Sequence, residues 1–210
     1  MRIGIFGTGG MADALGTQWA RAGHDLLVSG RDPAKAAALA KQFGARSGSW
    51  TDAVEFADAI LLALPADSVL DVLDAAGAAS GALDGITLID PTNAVDETLF
   101  PQTPPGTSMA EQITAKSVGA HVVKAFNLCH VDTWRLTPPV FGGRPLAVPL
   151  CGDDERALDH VRTLVRDLGC VPLDGGGLDR AVLMEATMAF VVKLWFDGAD
   201  AQAILPPPNV

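Results

Sequence analysis

The sequence is poor in charge, and positive charge is the scarcer sign. Lysine and arginine together number 15 against 25 aspartates and glutamates, which leaves a net charge of −10 on 210 residues. A chain with this balance would repel nucleic acids and anionic membranes, because both present phosphate groups. No apolar run reaches the length of a membrane span, and the first residues enter a short strand rather than a secretory leader. We therefore expect neither a nucleic-acid partner nor a membrane partner.

Cysteine is also scarce, with three residues at Cys129, Cys151 and Cys170. Their spacing fits no metal-binding pattern, and an odd number fits reduced thiols better than a disulfide framework. These features predict a cytoplasmic protein without a metal site.

Glycine, by contrast, is concentrated at a junction between a strand and a helix. Residues 1–6 are typical of a strand, Gly7-x-Gly9-x-x-Ala12 follows, and a helix is expected over residues 13–22. This spacing permits a tight turn and a close approach of the backbone to a pyrophosphate, which then lies at the helix N-terminus. The pattern predicts a dinucleotide site; the alternative is a glycine turn in an α/β protein that binds no nucleotide.

The end of the second predicted strand indicates which dinucleotide is bound. NAD-binding folds usually place an acid there to accept hydrogen bonds from the ribose, whereas this chain has Ser29 followed by Arg31. A hydroxyl and a guanidinium favour the 2′-phosphate of NADP, and Lys35 would add a second positive charge. Asp32 could serve as the missing acid, but followed by Pro33 it is more typical of a helix N-cap.

The remaining chain alternates between strand and helix patterns. Residues 59–64 form a continuous apolar run typical of a buried parallel strand, and Thr51 and Ser108 are expected to cap helices. The alternation predicts an α/β protein with a Rossmann-type doubly wound parallel sheet and a small C-terminal helical extension. We expect an NADP-binding domain over residues 1–175, and a helix and tail over 176–210 that complete the acceptor site.

The last predicted helix, from Leu178 to Phe196, is apolar on more than one face. Such a helix needs a surface to cover it, and either its own sheet or a second subunit would serve. We expect a homodimer, with Leu178 or the helix around Trp195 forming an apolar wall of the acceptor pocket. The run Pro206 to Pro208 predicts a frayed tail.

Seven segments in a fixed order resemble one family. They are Gly7-Thr-Gly9, Ser29-Gly-Arg31-Asp-Pro33, Leu64-Pro65, Asp90-Pro-Thr-Asn93, Val123-Lys-Ala-Phe-Asn127, Val148-Pro-Leu-Cys-Gly-Asp-Asp154 and Pro172-Leu-Asp-Gly175. Together they are similar to the NADP oxidoreductases that depend on the 8-hydroxy-5-deazaflavin coenzyme F420, and to the reductase domains of the STEAP metalloreductases.

The resemblance implies NADP contacts in three groups. The phosphates would lie at Thr8, Gly9, Gly10 and Met11, after the turn at Gly7. The 2′-phosphate would lie at Ser29, Arg31 and Lys35. The ribose and nicotinamide would be lined by Leu64, Pro65 and Asn93 and by Ala125, Phe126 and Asn127.

Two positions depart from the family pattern. Many relatives have proline where this chain has Gly176, and many follow Phe-Asn with threonine and a small apolar residue where this chain has Leu128, Cys129 and His130. We expect both departures to affect the face that binds the electron acceptor.

Hydride transfer between two flat rings needs little covalent help from the protein, because the cofactor supplies the chemistry. His130 is the candidate proton donor, and the alternative is a histidine at a surface turn. Three functions are compatible with the sequence: an NADPH:F420 oxidoreductase, an NADPH-dependent reductase of a flavin, ferric chelate or small imine or carbonyl, and a non-catalytic NADP sensor.

Overall fold

The computed structural model describes residues 1–199. Its strands are β1 Arg2–Phe6, β2 Asp25–Ser29, β3 Arg46–Gly48, β4 Ala59–Leu62, β5 Thr87–Asp90, β6 His121–Lys124, β7 Val140–Phe141, β8 Arg144–Pro145, β9 Ala147–Gly152 and β10 Val171–Asp174. Its α-helices are α1 Gly10–Arg21, α2 Pro33–Gln42, α3 Trp50–Phe56, α4 Ala66–Ala75, α5 Met109–Lys116, α6 Glu155–Asp167 and α7 Ala181–Phe196. Short 3₁₀ turns cover Ala78–Ser80, Val131–Arg135 and Leu178–Arg180. The predicted proline tail lies outside the described residues.

A single eight-stranded sheet forms the centre of the molecule, in the order β10-β9-β6-β5-β4-β1-β2-β3. Strands β1 to β6 are parallel and follow the strand order of a Rossmann dinucleotide fold. The order reverses between β1 and β4, so a crevice opens at the carboxyl ends of these strands. The predicted doubly wound sheet with a C-terminal helix is thus confirmed.

The last two strands of the sheet run the other way. Strand β9 is antiparallel to β6, with Val123 opposite Gly152, and β10 is parallel to β9. A parallel neighbour for β6 would require a crossover, usually a helix, but a 3₁₀ turn and the β7–β8 hairpin connect β6 to β9. The chain that leaves β10 therefore runs toward the start of β6, opposite to the direction of the chain that leaves β1, β4 and β5.

Two hydrophobic cores cover the two faces of the sheet. Trp19 of α1, Leu39 of α2 and Val161 of α6 belong to one core, and Val69 of α4 and Ile113 of α5 belong to the other. Within residues 1–199, no helix is both long and apolar enough to cross a bilayer.

Local capping signals mostly matched the helix starts. Asp32 caps α2 with proline at the next position, and Ser108 forms a capping box with Glu111 at α5. The prediction of Thr51 as a cap was wrong, because Ser49 caps α3 and pairs reciprocally with Asp52. Helix α1 begins three residues earlier than predicted, at Gly10, where the glycine turn leads directly into the helix.

Candidate active site

The glycine turn after β1 is shaped by both packing and open space. Gly7 has a φ of +119°, and a Cβ there would lie 2.0 Å from the carbonyl oxygen of Ala63, so only glycine fits. A Cβ on Gly9 would meet no atom within 4 Å. Packing within the protein thus does not require glycine at position 9. A ligand that lies against the backbone would require glycine there, because a side chain would occupy the same space.

Helix α1 presents its N-terminus to the space above Gly9. Gly9 is the N-cap and supplies no side-chain hydrogen bond to the first turn. The amides of Gly10 and Met11 at the start of the helix therefore have no side-chain acceptor from the cap. Unsatisfied N–H groups and the positive end of a helix dipole together form a site for an anion such as a pyrophosphate.

Two adjoining clefts lie beside this turn and have volumes of about 210 and 440 Å³. Both are lined by Gly30, Arg31 and Trp50, and Lys35 lines the smaller one. Arg31 and Lys35 are exposed, and neither forms an ion pair with any residue within 1–199. The site therefore has two positive charges available for a phosphate.

Asp32 and Ser29 have structural roles at this cleft. The Asp32 carboxylate accepts hydrogen bonds from the amides of Ala34, at 2.9 Å, and Lys35, at 3.2 Å, which supports the N-cap interpretation. Ser29 is fully buried, and its hydroxyl donates to the carbonyl of Ser49 at 2.8 Å. The structure therefore does not support Ser29 as a donor to the 2′-phosphate, because its only hydrogen is already committed.

The predicted nicotinamide residues meet at the carboxyl ends of β4, β5 and β6, where Leu64 and Pro65 follow β4. Asn93 and Asn127 bind each other: the Asn93 amide donates to the Asn127 carbonyl at 2.9 Å, and the Asn127 amide donates to Asn93 Oδ1 at 3.0 Å. Asn127 Oδ1 is buried without a hydrogen-bond partner. This oxygen is enclosed by the protein and does not open on the crevice.

Ala125 and Phe126 lie in the core rather than at the crevice surface. As whole residues they are 0% and 2% exposed. Phe126 has a φ of +64°, and its ring packs edge-on against Trp19 and Trp134, with centroids 5.9 and 5.3 Å apart. These two residues therefore support the end of β6 from within and do not line any cleft of the described residues.

A buried ion cluster lies directly behind the crevice. Lys124 Nζ lies 3.0 Å from Asp90 Oδ2 and 2.7 Å from Glu185 Oε1, and it also donates to the carbonyl of Thr92. Asp90 in turn accepts from the amide and hydroxyl of Thr92 at 2.8 and 2.6 Å. Both Glu185 oxygens accept from the amide of Met109 at 3.0 Å. Burial raises the pKa of Glu185, and the charge of Lys124 opposes that rise.

An apolar pocket of about 390 Å³ lies next to this cluster. Its walls come from the loop after β5 and from α7, including Val95, Phe100, Pro104, Val182, Glu185 and Ala186. Neither Leu178 nor Trp195 lines this pocket. Leu178 is buried beside His121 and Val122, near the start of β6.

Gly176 follows β10, and its φ of +94° is one that proline cannot adopt. The local backbone therefore explains this departure from the family pattern.

His130 and Cys129 do not have the surroundings of catalytic groups. The His130 side chain is exposed, and its Nδ1 accepts from the amide of Asp132 at 3.4 Å as the cap of a 3₁₀ turn. This favours the surface-turn alternative over the proton donor. Burial raises the pKa of the Cys129 thiol to about 11, which keeps it protonated and unreactive near neutral pH.

Sequence reasoning missed three residues of the site. Trp50 lines both clefts beside Arg31, and Arg135 pairs with Asp13 in the first turn of α1. Glu185 was read as part of an apolar helix. None of them lies in a recognisable motif, since each reaches the site from a distant part of the chain.

The chain is similar in sequence to known NADP oxidoreductases and metalloreductases. Residues 2–94 match the family model of the NADP oxidoreductases that depend on coenzyme F420. Metalloreductase STEAP3 of Rattus norvegicus is 27% identical over 195 residues, which are 92% of this chain and 38% of that protein. The chain thus spans about two fifths of this curated relative. The resemblance seen in the motifs is confirmed.

Solved structures agree with this assignment. A protein from Arthrobacter sp. FB24, provisionally described as an F420-dependent NADP reductase, is 26% identical, with a TM-score of 0.80 and 93% of each chain covered. An imine reductase from Pseudomonas sp. shares the fold at 17% identity, with a TM-score of 0.69 and coverage of 94% of this chain and 62% of that one. The chain therefore has the fold of the NADP-dependent oxidoreductases.

Proposed function

We propose that this protein is an NADP(H)-dependent oxidoreductase that transfers hydride between NADPH and the deazaflavin coenzyme F420. The observation on which the proposal rests is the pair of unengaged cations, Arg31 and Lys35, in a cleft that adjoins an uncapped helix N-terminus. That combination fits a dinucleotide with an additional phosphate.

The chain offers a partner for each part of NADP. The amides at Thr8 to Met11 would hold the pyrophosphate, and the open space at Gly9 leaves room for it. Arg31 and Lys35 would bind the 2′-phosphate, and the half-buried indole of Trp50 offers a flat surface for adenine. Leu64 and Pro65, which line the smaller cleft beside the glycine turn, would lie toward the nicotinamide end.

Bound NADPH would supply the hydride, and the protein would supply position and a dry environment. Asn93, which is partly exposed and is held by its hydrogen bonds to Asn127, would define the nicotinamide side of the crevice, with residues 125–127 supporting it from the core. The apolar pocket beside α7 would hold the acceptor and exclude water from the reacting rings. Residues 1–175 would bind the cofactor, and the acceptor pocket would be formed jointly by the loop at residues 94–107 and by the 176–210 extension, of which residues 200–210 lie outside the described part.

F420 is the first acceptor to test because the family and the Arthrobacter protein are both described by that coenzyme. The description of STEAP3 as a metalloreductase makes a flavin or ferric chelate the second choice.

The decisive experiment is an anaerobic assay that follows NADPH oxidation with F420, FMN, ferric citrate and a cyclic imine in parallel. Turnover with F420 well above the no-acceptor control would support the proposal. Turnover with another acceptor alone would support the oxidoreductase activity but replace F420 as the proposed acceptor. Tight NADPH binding without turnover on any acceptor would contradict the proposed enzymatic activity and favour a non-catalytic NADP sensor.

A further inference from the structure

Arg135 belongs to the 3₁₀ turn that follows β6, and its guanidinium lies beside the first residues of α1. Its Nη2 is 4.0 Å from the position that a Cβ on Gly10 would occupy, and Val131 of the same turn is 3.4 Å from that position. Gly10 is the first residue of α1 and is exposed. The 3₁₀ turn therefore forms one flank of the place where the glycine turn leads into the helix.

Hydrogen bonds hold the backbone of this 3₁₀ turn on α1. Gln18 Nε2 donates to the carbonyls of Trp134, at 3.3 Å, and Arg135, at 3.2 Å. The ring of Trp134 also packs edge-on against Phe126 in the core. Because these contacts fix the point from which the Arg135 side chain extends, its guanidinium stays within reach of the start of α1.

Protein groups engage only part of this guanidinium. Nη1 donates to Asp13 in the first turn of α1, and Nε donates to Asp132 Oδ1 at 3.3 Å. Nη2, the nitrogen beside Gly10, donates to no residue within 1–199. A guanidinium has five N–H groups, and Nη2 carries two of them. Since the Arg135 side chain is 43% exposed, those two donors are available to a ligand.

Asp13 takes the position of an anion at the start of α1. A carboxylate in the first turn is stabilised by the helix dipole, and that of Asp13 is paired with Arg135 while remaining 29% exposed. Ion pairs of this exposure are weak. The pyrophosphate of a dinucleotide carries two negative charges and can meet both the helix amides and a guanidinium. It would therefore displace the single carboxylate from Arg135.

We infer that Arg135 is a pyrophosphate-binding residue, which exchanges Asp13 for the ligand when a dinucleotide binds. The inference rests on the proposed binding of NADP(H) and adds a third cation to Arg31 and Lys35. Those two residues would bind the 2′-phosphate, whereas the pyrophosphate is common to NAD and NADP. Arg135 therefore contributes affinity for both dinucleotides and no preference between them.

Arg135→Gln separates this role from that of Arg31 when three ligands are titrated by calorimetry: NADP⁺, NAD⁺ and adenosine 2′-monophosphate, which lacks a pyrophosphate. Affinity for both dinucleotides should fall by the same factor of about ten, at the low end for a charge-assisted hydrogen bond, and that for the monophosphate should stay within about twofold. Arg162→Gln is the control, because Arg162 also pairs with two acids, Glu155 and Asp159, and it should change no affinity. A loss for NADP⁺ alone would overturn the inference.

Asp13→Asn distinguishes a ligand-binding Arg135 from one that only holds the 3₁₀ turn on α1. This change and Arg135→Gln break the same ion pair, so a purely structural pair would make both shift NADP⁺ affinity in one direction. If Asp13 competes with the pyrophosphate, Asp13→Asn should instead raise NADP⁺ affinity about two- to fivefold, the range for an exposed ion pair. Adding Arg135→Gln should abolish that gain. An equal gain without Arg135 would show a general charge effect and overturn the inference.

These outcomes separate the inference from the proposed function. If Arg135→Gln binds all three ligands as the wild type does, the inference fails alone. If the expected losses occur but no acceptor oxidises NADPH, the proposed function fails and the role of Arg135 stands. If the wild type binds neither dinucleotide, both fail.

Discussion

Substitution of Lys124 by methionine tests whether the buried ion cluster holds α7 to the sheet. Methionine has nearly the same length but no charge, so the change leaves Asp90 and Glu185 buried without their shared cation. The Lys124 and Asp90 side chains are fully buried, and that of Glu185 is 9% exposed. Breaking such a cluster typically costs about 3–5 kcal/mol. That is a large part of the 5–15 kcal/mol roughly expected for a whole domain.

Urea denaturation of purified protein measures this loss, and the chain supplies its own control. Lys116 pairs with Asp74 at 2.6 Å, but the side chains are 34% and 48% exposed, so Lys116→Met should cost no more than about 1 kcal/mol. Adding Glu185→Gln to Lys124→Met removes one of the two stranded charges and should recover part of the stability. If Lys124→Met and Lys116→Met lower the free energy of unfolding equally, the buried cluster does not hold α7 to the sheet.

Arg31→Ala should weaken NADP binding by about 1.5–3 kcal/mol and leave NAD binding unchanged in calorimetric titrations; equal losses would contradict the 2′-phosphate assignment. The pKa of Glu185 is raised above its ordinary value of 4.5, so the folded state binds more protons and the free energy of unfolding should fall as pH rises through that window. Glu185→Gln should flatten this slope in urea titrations at stepped pH. Iodoacetamide at about pH 8 should alkylate Cys129 far more slowly in native protein than in urea, because burial raises its pKa to about 11. Phe190 on α7 is 61% exposed and should lie in a homodimer contact, so Phe190→Glu should convert a micromolar dimer to monomer in light scattering; a wild-type monomer would refute the expected homodimer.

The parts of the site that were predicted correctly depend on residues close together in the chain. The tight turn at Gly7, the N-cap at Asp32 and the capping box at Ser108 each involve contacts within a few residues or a strand-to-helix junction. Such contacts leave a signature in the residue types themselves. The parallel order of β1 to β6 likewise follows from alternation of strand and helix.

The parts that were not predicted depend on distant contacts. The acidic partners of Lys124 lie 34 residues upstream at Asp90 and 61 residues downstream at Glu185. No local pattern specifies such pairs. The hydroxyl of Ser29 likewise donates to a residue on a later element of the chain, the carbonyl of Ser49. The reversed direction of β9 goes with the absence of a helix between β6 and β9, because a parallel neighbour needs a crossover connection.

The end of β6 and the pocket beside α7 differ in how far a substitution would be felt. Phe126 is 2% exposed and holds a φ of +64° while its ring packs against Trp19 and Trp134. A left-handed backbone at a non-glycine residue costs about 1–2 kcal/mol, so a change here would disturb the core. The loop after β5 and α7 instead line their pocket with side chains such as Phe100, Val182 and Ala186. In the proposed arrangement, selectivity for the acceptor would reside on those two elements, where a substitution alters the pocket without disturbing the packing of Phe126.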